Sequence, residues 1–325
     1  MKAVKCTKYG PPGVLKIVDI GKLKPKSNEI LIRNYYTTVT VADCRVRGFN
    51  VPSHFWLPAR LILGMFRPRR SILGGELAGI IEDVGKNVSK YKIGDKVFAF
   101  TSKNFGANAE YTRMNENKCI ALMPPDFGFG QSAALSFGGI TALHFLEKSK
   151  IKANEKVLIY GASGGVGTYA VQLAKYFGAV VTGVCSTDNT ELVKNIGADC
   201  VIDYTKTDLA DINEKYDVFF DTVGKADISK SIQLIKPNGR YLHAVTDPST
   251  NEKIKSELSG KNIAFSGGTY KANARQINFI GKLAAEGKIK PVIDRIYNLD
   301  EIVAAHEYVE KGHKKGNVLI KIMDE

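Results

Sequence analysis

The sequence predicts an α/β protein in which a doubly wound parallel sheet is joined to a β-rich domain. Three observations predict it. First, an apolar run, Val157 to Tyr160, precedes Gly161, Gly164, Gly165 and Gly167, and Val166, Ala170, Val171, Leu173 and Ala174 then recur at helical spacing until Gly178. Second, strands and helices alternate regularly from about residue 125, the pattern of right-handed crossovers in a parallel sheet. Third, residues 1 to about 120 give strands punctuated by glycine and proline.

In the first stretch Leu15 to Ile20, Glu29 to Thr38, Leu77 to Val84, Asp95 to Phe100 and Ala109 to Met114 read as strands. Gln131 to Lys148 reads as a helix interrupted at Gly138-Gly139. The alternating stretch gives strands at 157–160, 180–185, 200–203, 217–221, 240–245 and 263–266, with helices at 166–177, 189–195 and 226–235. Beyond about 270 come a helix, Asn273 to Glu286, a strand, Val292 to Ile296, a helix, Asp300 to Lys311, and a strand, Asn317 to Ile322. This order fits a nucleotide-binding domain inserted into a β-rich one, although periodicity does not itself return the last segment to the first domain.

The 325 residues suffice for two domains with substantial cores. A hydrophobic content of 44% and a charged content of 24% are those of a soluble globular protein. Met1 to Ile20 holds no apolar core of signal-peptide length, and no apolar run reaches the length of a membrane span. The five cysteines (Cys6, Cys44, Cys119, Cys185, Cys200) are scattered and form no CxxC pair, so a reduced cytoplasmic setting is expected. Net charge is +13, from 46 Lys and Arg against 33 Asp and Glu. The densest basic cluster, Arg67-Pro68-Arg69-Arg70, is short and accompanies no nucleic-acid motif. Nucleic acid is therefore not an expected partner, and binding of anionic lipid and simple steering of anionic cofactors and substrates are the open readings of the charge.

The strand–glycine turn–helix unit is the physical requirement for a dinucleotide pyrophosphate. Glycines let the backbone approach the phosphates, and the unpaired N–H groups of the first helical turn point at the anion. Gly161, Gly164, Gly165, Val166 and Gly167 are the expected contacts. Strand ends of such a sheet face the ligand, which nominates Thr222-Val223-Gly224, His243-Ala244-Val245 and Gly267-Gly268-Thr269-Tyr270. Ordinary turn chemistry is the alternative reading for each.

An ordered series of motifs spans nearly the whole chain: Tyr9-Gly10-Pro11-Pro12-Gly13-Val14-Leu15, Gly74-Gly75-Glu76-Leu77-Ala78-Gly79, Val84-Gly85, Gly94-Asp95-Lys96-Val97 and Ala109-Glu110-Tyr111. Gly138 to Leu143, the glycine turn, Leu192 to Asp199, Asp203-Tyr204 and Gly316-Asn317-Val318 continue it. On these motifs the chain resembles the medium-chain dehydrogenase/reductase superfamily, specifically its zinc-free quinone oxidoreductase (zeta-crystallin-like) branch. The resemblance implies a GroES-like β-rich catalytic domain, residues 1–124 and 268–325, and a Rossmann NADP-binding domain, residues 125–267, with the active site in the cleft between them.

Zinc alcohol dehydrogenases of that superfamily hold a catalytic zinc with Cys, His and Cys. By motif matching the first position here is Thr40, the second is Gly75, and the third falls at Ser136, Phe137 and Gly138. The structural zinc lobe needs four cysteines, and Phe100 to Ala109 has none. These residues cannot make a soft-ligand cage, so no metal is expected. Cys44 lies near Thr40, but no histidine neighbours it in sequence. Without a Lewis acid an alkoxide has nothing to stabilise it. A quinone or an α,β-unsaturated carbonyl accepts hydride more readily, because charge spreads onto an oxygen that hydrogen bonds can stabilise.

The expected cofactor is NADPH, with NADH second. No acid occupies Cys185, Ser186 or Thr187, where NAD-specific sites place one. At about 4 Å and an effective dielectric of about 20, an acid there would oppose each unit of phosphate charge by about 4 kcal/mol. Ser186, Thr187 and Asn189 can donate hydrogen bonds to a 2′-phosphate. The resemblance also places Asn189 and Tyr204 beside that phosphate and Thr141 near the nicotinamide side. A hydroxyl bonded to its own helix backbone is the alternative for Thr141. No acid–base residue is fixed. Thr40 and Tyr270 are pocket candidates. Tyr36, Tyr111 and Tyr270 could protonate or hydrogen-bond a developing enolate, though core packing is the alternative for each, and solvent is the expected proton source.

Residues 50 to 71, just beyond Phe49, are dense in apolar side chains (Phe55, Trp56, Leu57, Leu61, Ile62, Leu63, Met65, Phe66). They sit where relatives cover the substrate cleft, and a lid over a small apolar carbonyl or quinone, a buried helix and a dimer contact are all open readings. A homodimer is expected. The leading reading is an NADPH-dependent reductase of quinones or activated alkenes. Its rivals are a zinc-free alcohol or aldehyde dehydrogenase and a non-catalytic NADPH-binding protein.

Overall fold

The computed structural model describes residues 1–51, 56–245 and 247–324, with backbone alone at Lys103. The chain divides into two compact units, Met1–Phe137 with Ala272–Glu325, and Gly138–Lys271. The first unit opens with β1 (Lys2–Cys6), β2 (Leu15–Asp19) and β3 (Glu29–Val39), then α1 (Val41–Gly48) and α2 (Trp56–Leu63). It continues with β4 (Glu76–Val84), β5 (Lys96–Phe100), β6 (Tyr111–Asn115), β7 (Ile120–Leu122) and α3 (Phe129–Ala134). Helix α4 (Ser136–Lys148) leads into the second unit. There follow β8 (Lys156–Tyr160), α5 (Gly167–Tyr176), β9 (Val180–Cys185), α6 (Thr190–Asn195), β10 (Cys200–Asp203) and β11 (Tyr216–Asp221). Then come α7 (Ile228–Gln233), β12 (Ile235–His243), α8 (Pro248–Glu257) and β13 (Ala264–Gly267). The chain re-enters the first unit with α9 (Ala274–Ala285), β14 (Ile293–Asn298), α10 (Ile302–Glu310) and β15 (Asn317–Lys321).

In the first unit the sheet order is β14-β15-β3-β4-β5-β7, with β6 also paired to β3. Strand β15 pairs antiparallel with β3, Val318 opposite Val39 and Ile320 opposite Thr37, which answers the question periodicity left open about the C-terminal segment. The β3–β4 ladder shifts register twice, with Glu82 of β4 the extra residue opposite Leu31 and Ile32, and Tyr35 of β3 the extra residue between Asn34 and Tyr36. Asn34 is fully buried there and donates to the Ala109 carbonyl at 2.8 Å and to Thr112 at 2.7 Å. One core gathers Ile30, Ile32, Leu77, Ile81, Val97 and Ile120 between the strands.

The second unit holds a six-stranded sheet, β10-β9-β8-β11-β12-β13, parallel throughout. In sequence order that is 3-2-1-4-5-6, the doubly wound order with its switch point between β8 and β11. Val157, Leu158 and Ile159 are fully buried because helices cover both faces, hence the unbroken apolar run.

Several expectations need correction. Helix α4 runs unbroken through Gly138 and Gly139, and the interruption falls at Leu135, whose N–H turns to the Ser132 carbonyl. Gly138 serves close approach instead: a Cβ there would meet the Gly165 carbonyl oxygen at 2.2 Å and the Tyr169 ring at 2.7 Å. Strand β12 starts at Ile235 and ends at His243, five residues earlier and two earlier than the 240–245 reading. A register shift between Tyr216 and Val218, with Asn238 at φ 65, accommodates the extra residues. Helices α1 and α8 were missed. Both carry their signal at the cap: Thr40 and Asp43 form a reciprocal capping box, and Asp247 accepts the Ser249 N–H just before Pro248.

Candidate functional site

The glycine turn of the second unit is built by steric necessity. Gly161 follows β8 with φ +81, and a Cβ on it would lie 2.6 Å from Val223. A Cβ on Gly167 would lie 2.1 Å from the Gly161 carbonyl oxygen. Helix α5 then starts at Gly167, and its N-cap, Val166, gives no side-chain hydrogen bond. Its first N–H groups are therefore not capped by that residue's side chain, the arrangement that suits a phosphate. Gly164 has room for a methyl group, with nothing nearer than 3.4 Å.

The other strand ends of this unit stand beside the turn. Thr222 donates to the carbonyls of Tyr160 at 2.8 Å and Gly161 at 3.2 Å, tying β11 to the turn. Buried Asp221 accepts the N–H groups of Val223 at 3.0 Å and Gly224 at 2.7 Å and fixes that loop. Ala244 and Val245 follow β12, and Val245 packs where a Cβ on Gly224 would stand, 2.9 Å away. His243 is fully buried, with Nδ1 on Asn251 at 2.8 Å and Nε2 without a partner.

At the end of β9, Asn189 donates to Ser186 at 2.9 Å, while its buried Oδ1 has no partner. An orphaned polar atom in the turn that follows β9 fits a bound dinucleotide. Tyr204 is exposed and its N–H bonds the Cys185 carbonyl at 3.1 Å. Asp203, a residue the sequence reading did not nominate, lies opposite Cys185 in the register and accepts the Thr187 hydroxyl at 2.5 Å. Hydrogen bonds from Thr187 and Thr205 pull its carboxyl down to about 2, so it is an anion at neutral pH. Thr141 bonds the Tyr270 hydroxyl at 2.6 Å, and Tyr270 stacks on His144 with ring centroids 4.6 Å apart.

The first unit contains a cavity of about 170 Å³ lined by Thr40, Gly75, Glu76, Phe100, Ser102 and Phe137, among others. Of the positions that resemblance matched to zinc ligands, Thr40, Gly75 and, from the third, Phe137 line this cavity, whereas Ser136 and Gly138 are not among its lining residues. Thr40 caps α1 and is bonded to Asp43, its hydroxyl at 2.6 Å from Oδ2. Gly75 offers no side chain, and Phe137 stands 5.8 Å from the Phe100 ring. These donors do not fit a catalytic zinc, and the described residues hold no group of three or more His, Cys, Asp or Glu placed for a metal. Of the pocket candidates Thr40 lines this cavity and Tyr270 does not, and Tyr36 and Tyr111 are not among its lining residues either. Tyr111 sits under the Lys22 ammonium, 4.5 Å from its ring.

Glu76 is the feature of this cavity that the sequence reading missed, although it quoted the Gly74-Gly75-Glu76 motif. Its carboxyl is fully buried and receives Thr38 Oγ1 at 2.5 Å, Ser136 Oγ at 2.9 Å and the Phe137 N–H at 2.5 Å. Burial pushes it up to about 7, against those hydrogen bonds. Asp43, also buried, is raised by the same cause and bonded by the Gly74 N–H at 3.1 Å. Lys314 feels both Glu76 and Asp294, and burial lowers its ammonium. Cys44 does have a histidine partner, His306 from α10, at 3.4 Å. Burial drives the thiol up to about 12 and the imidazole down to about 3, so this is a neutral packed pair and not a nucleophile.

Residues 26–171 match the alcohol dehydrogenase GroES-like domain, and residues 196–320 match the zinc-binding dehydrogenase family. The chain is 32% identical to the 2-methylene-furan-3-one reductase of Solanum lycopersicum, over 98% of this chain and 79% of the relative. It is 31% identical to a chloroplastic NADPH-dependent alkenal/one oxidoreductase of Arabidopsis thaliana, with the same coverage. Its structure superposes on the quinone oxidoreductase of Coxiella burnetii with a TM-score of 0.89 at 30% identity, covering 99% of both chains. The motif order, the 3-2-1-4-5-6 sheet, the glycine turn and these likenesses together place the chain in the medium-chain dehydrogenase/reductase superfamily, in its zinc-free quinone oxidoreductase branch.

Proposed function

We propose that this protein is an NADPH-dependent reductase that passes hydride to a quinone or an α,β-unsaturated carbonyl without a metal ion. The observation that carries the reading is the shared cavity of Thr40, Gly75 and Phe137, in which the superfamily's metal positions hold no ligand set. The names of the relatives, reductases of enones and quinones, support the acceptor class. Bound reduced nicotinamide supplies the hydride.

The second unit holds the cofactor. Gly161, Gly164, Gly165, Val166 and Gly167 cradle the pyrophosphate, and Val223, Gly224, Ala244 and Val245 line its path along the strand ends. Ser186, Thr187, Asn189 and Tyr204 surround the ribose that carries the 2′-phosphate, and Thr141 with Tyr270 stands toward the nicotinamide. Preference for NADPH rests on the absence of an acid on β9 itself. Asp203 opposes it, and Lys206, 3.5 Å from that carboxylate, offsets part of its charge.

The first unit seats the acceptor in the cavity that Thr40 lines, and the Thr40 hydroxyl, whose proton is held by Asp43, would have to turn from that carboxylate to serve a developing oxyanion. Solvent supplies the final proton. The five unpaired cysteines support a reducing, cytoplasmic setting, and a homodimer is the proposed assembly. The test is cofactor consumption with a panel of quinones and enones. Turnover with NADPH and a kcat/KM at least about tenfold above that with NADH supports the reading. Comparable values with both cofactors refute the NADPH preference, and tight NADPH binding without turnover refutes the enzyme.

A further inference from the structure

Between Asp43 and Glu76 the chain carries no acidic residue and six arginines: Arg45, Arg47, Arg60, Arg67, Arg69 and Arg70. The same stretch carries the largest cluster of exposed apolar side chains in the described residues. Leu57, Leu61 and Ile62 project from α2, and Met65 and Phe66 follow it, with Phe66 85% exposed. Phe55 of this segment lies outside the described residues.

These side chains are not exposed for want of a fold around them. Arg60 lies over three rings, 4.6 Å from Tyr9, 4.0 Å from Phe49 and 4.8 Å from Trp56. It also donates to the Met65 carbonyl at 2.5 Å. The Tyr9 hydroxyl donates to Gly64 at 3.0 Å, and the Arg69 N–H returns to Leu63 at 2.7 Å. Ala59 is buried against this frame. The inner side of the segment is thus pinned by cation–π and hydrogen-bond contacts, and the aliphatic side is left facing outward. Arg67, Arg69 and Arg70 stand exposed at its end.

We propose that this surface docks on an anionic lipid bilayer, with the aliphatic side chains below the headgroups and the arginines on lipid phosphates. The occupant follows from charge and chemistry together. A second copy meeting this face about a two-fold axis would bury the arginines against a stretch that carries no acid to pair with them. A nucleic acid would take the arginines but has no use for Leu57, Leu61, Ile62 and Met65. An anionic bilayer takes both, as amphipathic interfacial segments do.

The experiment is co-sedimentation of the full chain with vesicles of phosphatidylcholine alone or with about one-third phosphatidylglycerol, at about 0.1 M salt. Partitioning at least about tenfold stronger onto the anionic vesicles is expected, weakening as salt rises. The double variants Ile62→Ser with Phe66→Ser, and Arg67→Gln with Arg69→Gln, should each lower it about tenfold while leaving thermal melting unchanged. Failure to bind anionic vesicles, equal binding to neutral ones, or binding that both variants leave intact overturns the proposal. So does a concentration-dependent dimer that the variants dissolve, in a protein that ignores vesicles.

Discussion

Ser136 donates its hydroxyl to Oε1 of Glu76 at 2.9 Å and lies 3.3 Å from the Ala99 carbonyl oxygen. That hydroxyl can therefore turn: it serves the carboxylate when Glu76 is ionised, and it can donate to Ala99 while accepting from the protonated acid. The site tolerates both states of a carboxyl that burial raises to about 7. Because the folded value is raised, the contribution to stability is fully present below the ordinary carboxyl range and is lost as pH rises through about 7. Urea unfolding should thus show stability falling by about 2–3 kcal/mol between pH 5 and 8 from this group. Glu76→Gln should flatten that slope, and an unchanged slope in the variant would remove Glu76 as its source.

Gly167 and Gly164 separate folding from binding within one turn. A Cβ at Gly167 meets the Gly161 carbonyl oxygen at 2.1 Å, whereas one at Gly164 meets nothing nearer than 3.4 Å. Gly167→Ala should cost about 2–3 kcal/mol of stability through backbone displacement. Gly164→Ala should melt close to the parent yet bind NADPH about tenfold more weakly, because the new methyl group takes space a phosphate needs. Fluorescence titration alongside thermal melting checks both. Full affinity in Gly164→Ala would move the pyrophosphate away from this turn.

What the sequence displayed and what it hid divide on range. The glycine turn, the apolar runs of β8 and β11 and the helical spacing of α5 are local patterns, and their elements stand within a residue or two of expectation. Thr40, Gly75 and Phe137, each picked out by a short motif, line one cavity. Hidden were relationships that only the fold makes: Cys44 with His306, Thr187 with Asp203, Glu76 with Ser136. The two missed helices were hidden for another reason. α8 buries Ile254 and little else, so no apolar stripe announces it, and its signal was confined to the Asp247-Pro248 cap.

Asp203 tests the proposed cofactor preference. The β9 strand end has no acid of its own, but the neighbouring strand delivers one onto the Thr187 hydroxyl. Held ionised by its hydrogen bonds, that carboxylate would repel a 2′-phosphate placed near Thr187 and could accept a ribose hydroxyl there. Asp203→Asn should therefore raise the ratio of NADPH to NADH affinity roughly fivefold at low salt, with the gain shrinking as salt screens the charge. Calorimetric titration with the two cofactors measures it. A ratio that stays put would show that the 2′ position lies elsewhere.

Tyr270 tests the proton source. Its hydroxyl is bonded to Thr141 at 2.6 Å and its ring stacks on His144 with an interplanar angle of 16°. A stacked ring keeps its place when the hydroxyl is removed, so Tyr270→Phe takes away the hydroxyl and its bond to Thr141 while the ring stays. A side chain acting as general acid contributes about a hundredfold or more to turnover. With solvent as donor, Tyr270→Phe should lower kcat by less than about tenfold, and the solvent isotope effect on kcat should match the parent's. The same holds for Tyr36→Phe and Tyr111→Phe, whose rings do not line the cavity. A loss of about a hundredfold in kcat at unchanged NADPH affinity would make that tyrosine the acid and end the role given to solvent.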